Sequence, residues 1–242
     1  MLPYSSLSKF YDKIISDEEY SKWTDYIVSI VEKYAVKKSG VDVACGSGIV
    51  TLKLKKQGFS VVGVDVSEEM LTKARINADN EKLNVQFLRQ DMKNLKLFEK
   101  ASFITVINDG INYISQKDLL KTFNSFYKNL ERGGALIFDV SSEYKLKNVL
   151  AGNVYGDDSE DLSYIWFNVL EGDSVNLSLT FFKKDGDVYR RYEENQVQYI
   201  HKTDDIINAL RSAKFNVVSV TDAYGEQIKQ DTQRLLFIAI KN

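Results

Sequence analysis

The chain has 242 residues, of which 44% are hydrophobic, 27% charged and 12% aromatic, the proportions of an ordinary globular protein rather than a disordered one. Its 32 lysines and arginines against 34 acids leave a net charge of −2, and no basic block is dense enough to track a phosphate backbone, which argues against nucleic acid or a membrane surface as a partner. The single cysteine, Cys45, excludes an internal disulfide; with no apolar segment in Met1 to Lys13 and only the short run Leu235 to Ile240 near the end, the expectation is a cytoplasmic protein.

Residues from Asp17 to Val36 carry Trp23, Tyr26, Ile27, Ile30, Val31 and Tyr34 at steps of three and four, which predicts an amphipathic helix. The apolar run Gly40 to Ala44 then reads as a strand, Cys45-Gly46-Ser47-Gly48 as a tight turn, and Ile49 to Gln57 as a helix. A second strand, Ser60 to Val66, is followed by Ser67 as an N-cap, with Glu68 and Glu69 in the first turn of a helix ending near Asn80. Strands are expected at Asn84 to Gln90, Ala101 to Ile107 and Ala135 to Val140, with a helix at Gln116 to Leu130. This alternation predicts a mostly parallel sheet covered on both faces.

After about Leu150 the period changes to two: Ser163 to Leu170, Ser174 to Lys183 and Val188 to Ile200 read as a three-stranded antiparallel meander, with Asp185-Gly186 as the centre of a type I′ turn. One face of its middle strand carries Val175, Leu177, Leu179 and Phe181, and is expected to pack on the core near Asn112 and Tyr113. The α/β pattern resumes with a helix at Thr203 to Ala213 and strands at Phe215 to Thr221 and Arg234 to Ile240. The organisation that follows is an α/β domain of residues 1–152 and 201–242, interrupted by an antiparallel insertion over 153–200 that is either a cap over a ligand site or a contact in a homodimer.

Glycines at a strand-to-helix turn let a ligand approach the backbone and leave helix N–H groups facing it. Asp65 ends the second strand 19 residues after Gly46, where a carboxylate can accept both hydroxyls of a ribose. Asp91-Met92 follows the third strand and Asn108-Asp109-Gly110 the fourth, so polar residues from four strand ends converge on the crevice where open α/β sheets bind ligands. A nicotinamide dinucleotide fits less well, because Thr51 stands where the third glycine of that fingerprint would be.

Taken together, Val41 to Gly48, Val62 to Ser67 with Met70-Leu71, Gln90-Asp91-Met92 and Gly133 to Asp139 resemble the motifs of class I S-adenosyl-L-methionine (SAM)-dependent methyltransferases. Phe10-Tyr11-Asp12-Lys13, Tyr20-Ser21-Lys22-Trp23 and the late insertion resemble, within them, a bacterial small-molecule branch that includes amino-sugar N-methyltransferases. The resemblance implies a Rossmann-like fold with a seven-stranded sheet, the last strand antiparallel, and SAM as cofactor. It implies that Asp65 holds the ribose diol, Asp91 the adenine amino group and Met92 the adenine face. Gly46 and the carbonyl of Ala44 would hold the methionine part, aided by Asp42. Tyr11 and Trp23 would close over the cofactor, and Met70 and Asn108 would complete its surroundings. Local readings stand beside these: Asp42 as a turn cap, Asp91 as a loop acid, Trp23 as core.

Asn112, Tyr113 and Trp166 are the residues expected to line the acceptor pocket. His201 could act as a base, although a lone histidine at a strand end is more often structural. Asp109 and Asp139 sit where metal-dependent catechol methyltransferases hold a cation, but capping is the simpler reading and no metal is expected. Cys45 has no histidine partner in sequence and reads as packing. The expected function is methyl transfer to a nitrogen, less readily an oxygen, of a small soluble metabolite. An NAD(P)-dependent oxidoreductase and a SAM-fold binding or regulatory protein without catalysis are the alternatives.

Overall fold

The computed structural model describes residues 18–242. Helix α1 (Glu18–Tyr34) leads into β1 (Ser39–Val43), α2 (Ile49–Lys56), β2 (Ser60–Asp65), α3 (Glu68–Asn80), β3 (Gln86–Arg89), β4 (Ala101–Val106), α4 (Leu119–Asn129) and β5 (Leu130–Ser141). Four strands then follow without a helix between them, β6 (Val154–Asp158), β7 (Leu162–Glu171), β8 (Ser174–Asp185) and β9 (Val188–Tyr199), before α5 (Thr203–Ser212), β10 (Phe215–Asp222) and β11 (Arg234–Lys241).

The main sheet has seven strands in the order β10-β11-β5-β4-β1-β2-β3, and β11 alone runs antiparallel to its neighbours. Every residue of β4 is buried, as a central strand covered on both faces requires. On one face α1 packs Ile27 and Val31 with Val50 and Leu54 of α2; on the other, Phe123 and Phe126 of α4 lie with Ile206 and Leu210 of α5. The Ser67 hydroxyl accepts the Met70 N–H at 3.2 Å and so starts α3 where the sequence places its cap.

The second sheet has four strands in the order β6-β7-β8-β9, one more than the expected meander. The missed strand, Val-Tyr-Gly-Asp-Asp, lies at the sheet edge with four of its five residues exposed, so no alternation of apolar residues marks it. Both hairpins of this sheet close over Gly-Asp pairs, Gly172-Asp173 and Gly186-Asp187, and in each only the glycine has positive φ, 58° and 64°. That is the type II′ pattern with glycine first, in place of the type I′ turn expected at Asp185-Gly186. The apolar face Val175, Leu177, Leu179 and Phe181 is buried with Leu146, Leu162 and Ile200, and the sheet meets residues 112–113 through the polar side chains and backbone of β9. Leu146 belongs to a wide helical turn, Lys145–Leu150, directly after β5, so this sheet has a small core of its own.

Candidate active site

The C-terminal ends of β1, β2 and β4 enclose a cavity whose floor is the loop between β1 and α2. In that loop Ala44, Gly46 and Gly48 all have positive φ, 54°, 55° and 85°, and a side chain at Gly48 would stand 3.2 Å from Ala74 Cβ, which explains the need for glycine there. Gly46 N–H donates to Asp65 Oδ2 and Ser67 N–H to Asp65 Oδ1, each at 2.9 Å. The carboxylate thus ties the loop to the end of β2 while lining the cavity with acceptor capacity left for a ligand.

Asp42 lies on the cavity wall, 1% exposed. It accepts the hydroxyls of Thr51 at 2.5 Å and Thr105 at 2.8 Å. Burial raises its carboxyl to about 6 despite those two hydrogen bonds, and burial also raises that of Asp65. Thr51, the residue in place of a third glycine, therefore positions a carboxylate. Cys45 lines the cavity too, but burial, Asp65 and Asp42 push its thiol well up, which keeps it protonated and unfit as a nucleophile.

Of the residues singled out in the sequence, Asp42, Ala44, Gly46, Asp65, Met70, Met92, Asn108 and Tyr113 line this cavity. Tyr11 lies outside the described residues. Asp91 is not among the residues lining the cavity; its Oδ1 accepts the Lys93 N–H at 2.9 Å and caps the short helical turn Met92–Asn94 beside the lining residue Met92. Trp23 is 5% exposed and belongs to the buried cluster that contains Val50 and Ile107, one layer behind the wall, with the Arg234 guanidinium 5.7 Å above its ring.

Two expectations for the acceptor side, Asn112 and Trp166, are corrected, and His201 takes the structural place that the sequence favoured. Asn112 is fully buried: its amide donates to the carbonyls of Ser141 and Tyr199 and its oxygen accepts the Ser141 N–H, so it clamps β5 to the end of β9 instead of facing a ligand. Trp166 packs in the small core of the second sheet, its ring 6.0 Å from that of Tyr155. His201 is 2% exposed, its Nδ1 paired with Gln116 Oε1 at 2.8 Å, and burial lowers its pKa; it does not line the cavity.

The sequence reading missed Arg234. Its guanidinium bridges Asp109, at 2.9 Å, and Asp139, the two carboxylates weighed as cation ligands. Asp139 also accepts the N–H groups of Asn108 at 2.6 Å and Asp109 at 3.1 Å, holding two successive non-glycine residues at φ 67° and 56°. Burial alone would raise the Asp109 carboxyl, but Arg234 and Lys145 outweigh it and hold it below the ordinary carboxylate range. The half-buried Lys145 is in turn lowered by burial. The available signal was parity: Arg234 pairs with Ser141 across the sheet, which brings its side chain beside the end of β5.

The cavity fits SAM on its own chemistry. It offers the Asp65 carboxylate, a second carboxylate at Asp42, and a loop at Gly46 with no side chain in the way. The soft apolar Met70 and Met92 add to these, and the hydroxyl of Ser47 is buried with no hydrogen-bond partner. Residues 41–134 match the model of a methyltransferase domain. A protein of Geobacillus sp. (strain WCH70) described as a methyltransferase is 31% identical over 99% of this chain and 100% of its own length. A SAM-dependent methyltransferase from Clostridium acetobutylicum shares 32% identity and superposes with a TM-score of 0.89 over 99% of both chains. The sugar N-methyltransferase KedS8 from Streptoalloteichus sp. has the same fold at 20% identity, with a TM-score of 0.79 over 100% of this chain and 94% of its own. The chain belongs to the SAM-dependent methyltransferases.

Proposed function

We propose that this enzyme transfers the methyl group of SAM to a nitrogen of a small soluble metabolite that enters between the cofactor cavity and the second sheet. The observation carrying the choice of nitrogen is the commitment of the groups an oxygen acceptor would need. Asp109 and Asp139 are neutralised by Arg234, and His201 is buried against Gln116. A hydroxyl acceptor needs a base or a metal to become nucleophilic, whereas a neutral amine already presents its lone pair. The likeness to a sugar N-methyltransferase supports the same choice.

SAM supplies an activated methyl group on a sulfonium centre. The chain's own residues then have to bind, align and exclude water, and alignment of this kind is worth roughly 7 to 11 kcal/mol. Asp65 and the Gly46 backbone hold one wall of the cavity, Asp42 adds a second carboxylate to that wall, and Tyr113 on the lining reaches toward the second sheet. The Tyr113 hydroxyl donates to Gln196 Oε1 at 2.8 Å, so the cavity is connected directly to β9.

The test is methyl transfer from labelled SAM to a panel of primary amines and of catechols, with and without EDTA. Transfer to amines that EDTA does not diminish is expected. Transfer confined to catechols and restored after EDTA only by Mg²⁺ would overturn the reading.

A further inference from the structure

The inner face of the second sheet is apolar on β8 and becomes polar on β9. Val175, Leu177 and Leu179 pair across the ladder with Gln198, Gln196 and Glu194, so all six side chains share one face. The two glutamines are 6% and 7% exposed, an unusual burial for amides on a wall that could have been completed with leucine.

Their orientation is fixed by a directed chain of hydrogen bonds. Asp109, ionised beside Arg234, only accepts, so Gln198 must turn its Nε2 toward Asp109 Oδ2 at 3.1 Å. The same Nε2 donates to the Tyr113 hydroxyl at 3.4 Å, and that hydroxyl donates onward to Gln196 Oε1 at 2.8 Å. Two buried atoms are left without a partner, the acceptor Gln198 Oε1 and the donor Gln196 Nε2. A buried polar atom left unsatisfied is destabilising, and here one donor and one acceptor stand two residues apart on one strand, linked through a residue of the cofactor cavity.

We infer that Gln196 and Gln198 are the specificity-determining pair for the methyl acceptor, recognising an uncharged group that both donates and accepts, a hydroxyl or a carboxamide. A ligand hydroxyl can donate to Gln198 Oε1 and accept from Gln196 Nε2; a carboxamide does the same through its two ends. A carboxylate only accepts, so it opposes Gln198 Oε1 and lies near ionised Asp109, and an alkyl group leaves both amides unpaired. Sites built to hydrogen-bond a polar group reject the analogue that lacks it far more strongly than apolar pockets reject an extra methylene. The inference rests on the proposed entry of the acceptor beside Tyr113.

The test is binding, kept separate from turnover. Protein loaded with S-adenosylhomocysteine is titrated, by protein-observed NMR, with serinol against 3-aminopentane, in which methyl groups replace the hydroxyls, and with glycinamide against glycine. The wild type is expected to prefer serinol and glycinamide by at least about tenfold. Gln196→Met and Gln198→Met, which keep length and volume, should each reduce both preferences to below about threefold while SAM affinity stays within about twofold. Comparing ratios between proteins cancels the different basicities of the amines. Gln→Leu variants repeat the measurement should a methionine variant fail to fold. Glycine bound as tightly as glycinamide, preferences unchanged in the variants, or no probe bound at about 100 mM would each overturn the assignment. Binding of serinol without methyl transfer to it or to any other amine would instead sink the proposed reaction and leave the recognition pair standing.

Discussion

The two walls of the cavity are built in different ways. The cofactor wall, from Asp42 through the Gly46 loop to Asp65 and Ser67, comes from one continuous strand-loop-helix-strand segment, and backbone N–H groups make its principal bonds. Across from it, Tyr113 on the cavity lining leads into a network behind it, Gln196 and Gln198 with Asp109, Asp139 and Arg234, drawn from four distant parts of the chain and bonded through side chains. A local backbone motif is specified by residue types at fixed spacing, whereas a side-chain network depends on register and tertiary placement. The first suits a ligand common to many proteins, and the second suits one that differs between them.

The largest expected effect breaks the second wall. Arg234→Met leaves Asp109 and Asp139 buried with no counter-charge and should cost about 3 to 5 kcal/mol of stability, read as a lower urea midpoint at unchanged slope. A midpoint within error of the wild type would show that the guanidinium does not hold this junction together.

A smaller effect, on the first wall, depends on pH. The folded pKa of Asp42, about 6, lies above its unfolded value, so the native state binds the extra proton and this group favours folding below the unfolded pKa. That contribution is lost as pH rises through about 6. Asp42→Asn should therefore stabilise the free protein by about 2 to 3 kcal/mol above pH 7, with the gain fading toward pH 4. Equal melting temperatures for the two proteins from about pH 4 to about pH 8 would contradict this electrostatic assignment. Smaller again, Ser67→Ala removes the cap of α3 and should cost about 1 kcal/mol, a melting shift of about 2 to 4 °C, with no cap rescue from Glu69 expected.

How much was legible follows the same division. Strands β1 to β4, the cap at Ser67 and the cavity residues Asp42, Gly46, Asp65 and Met92 could be read because each sits in an apolar run punctuated by glycine or an acid. Strand β5 begins at Leu130, five residues earlier than the apolar run indicates, because Gly133-Gly134 interrupts the pattern without ending the ladder. Edge strand β6 carries no pattern at all. Asn112 and Trp166 were assigned to the pocket from residue type and neighbourhood, and both are occupied in packing or clamping. The glutamines on β9 were not singled out, because polar residues at even spacing look like an ordinary solvated face and only the hairpin register puts them on the face of Val175 and Leu177.

The central claim is that the local wall binds SAM through Asp65. Isothermal titration of SAM into wild type and Asp65→Ala, with circular dichroism to show that the variant is folded, tests it most directly. The variant loses a charged acceptor positioned for two hydroxyls, and its dissociation constant should rise about 30- to 150-fold, or about 2 to 3 kcal/mol. An affinity equal to that of the wild type would contradict the account.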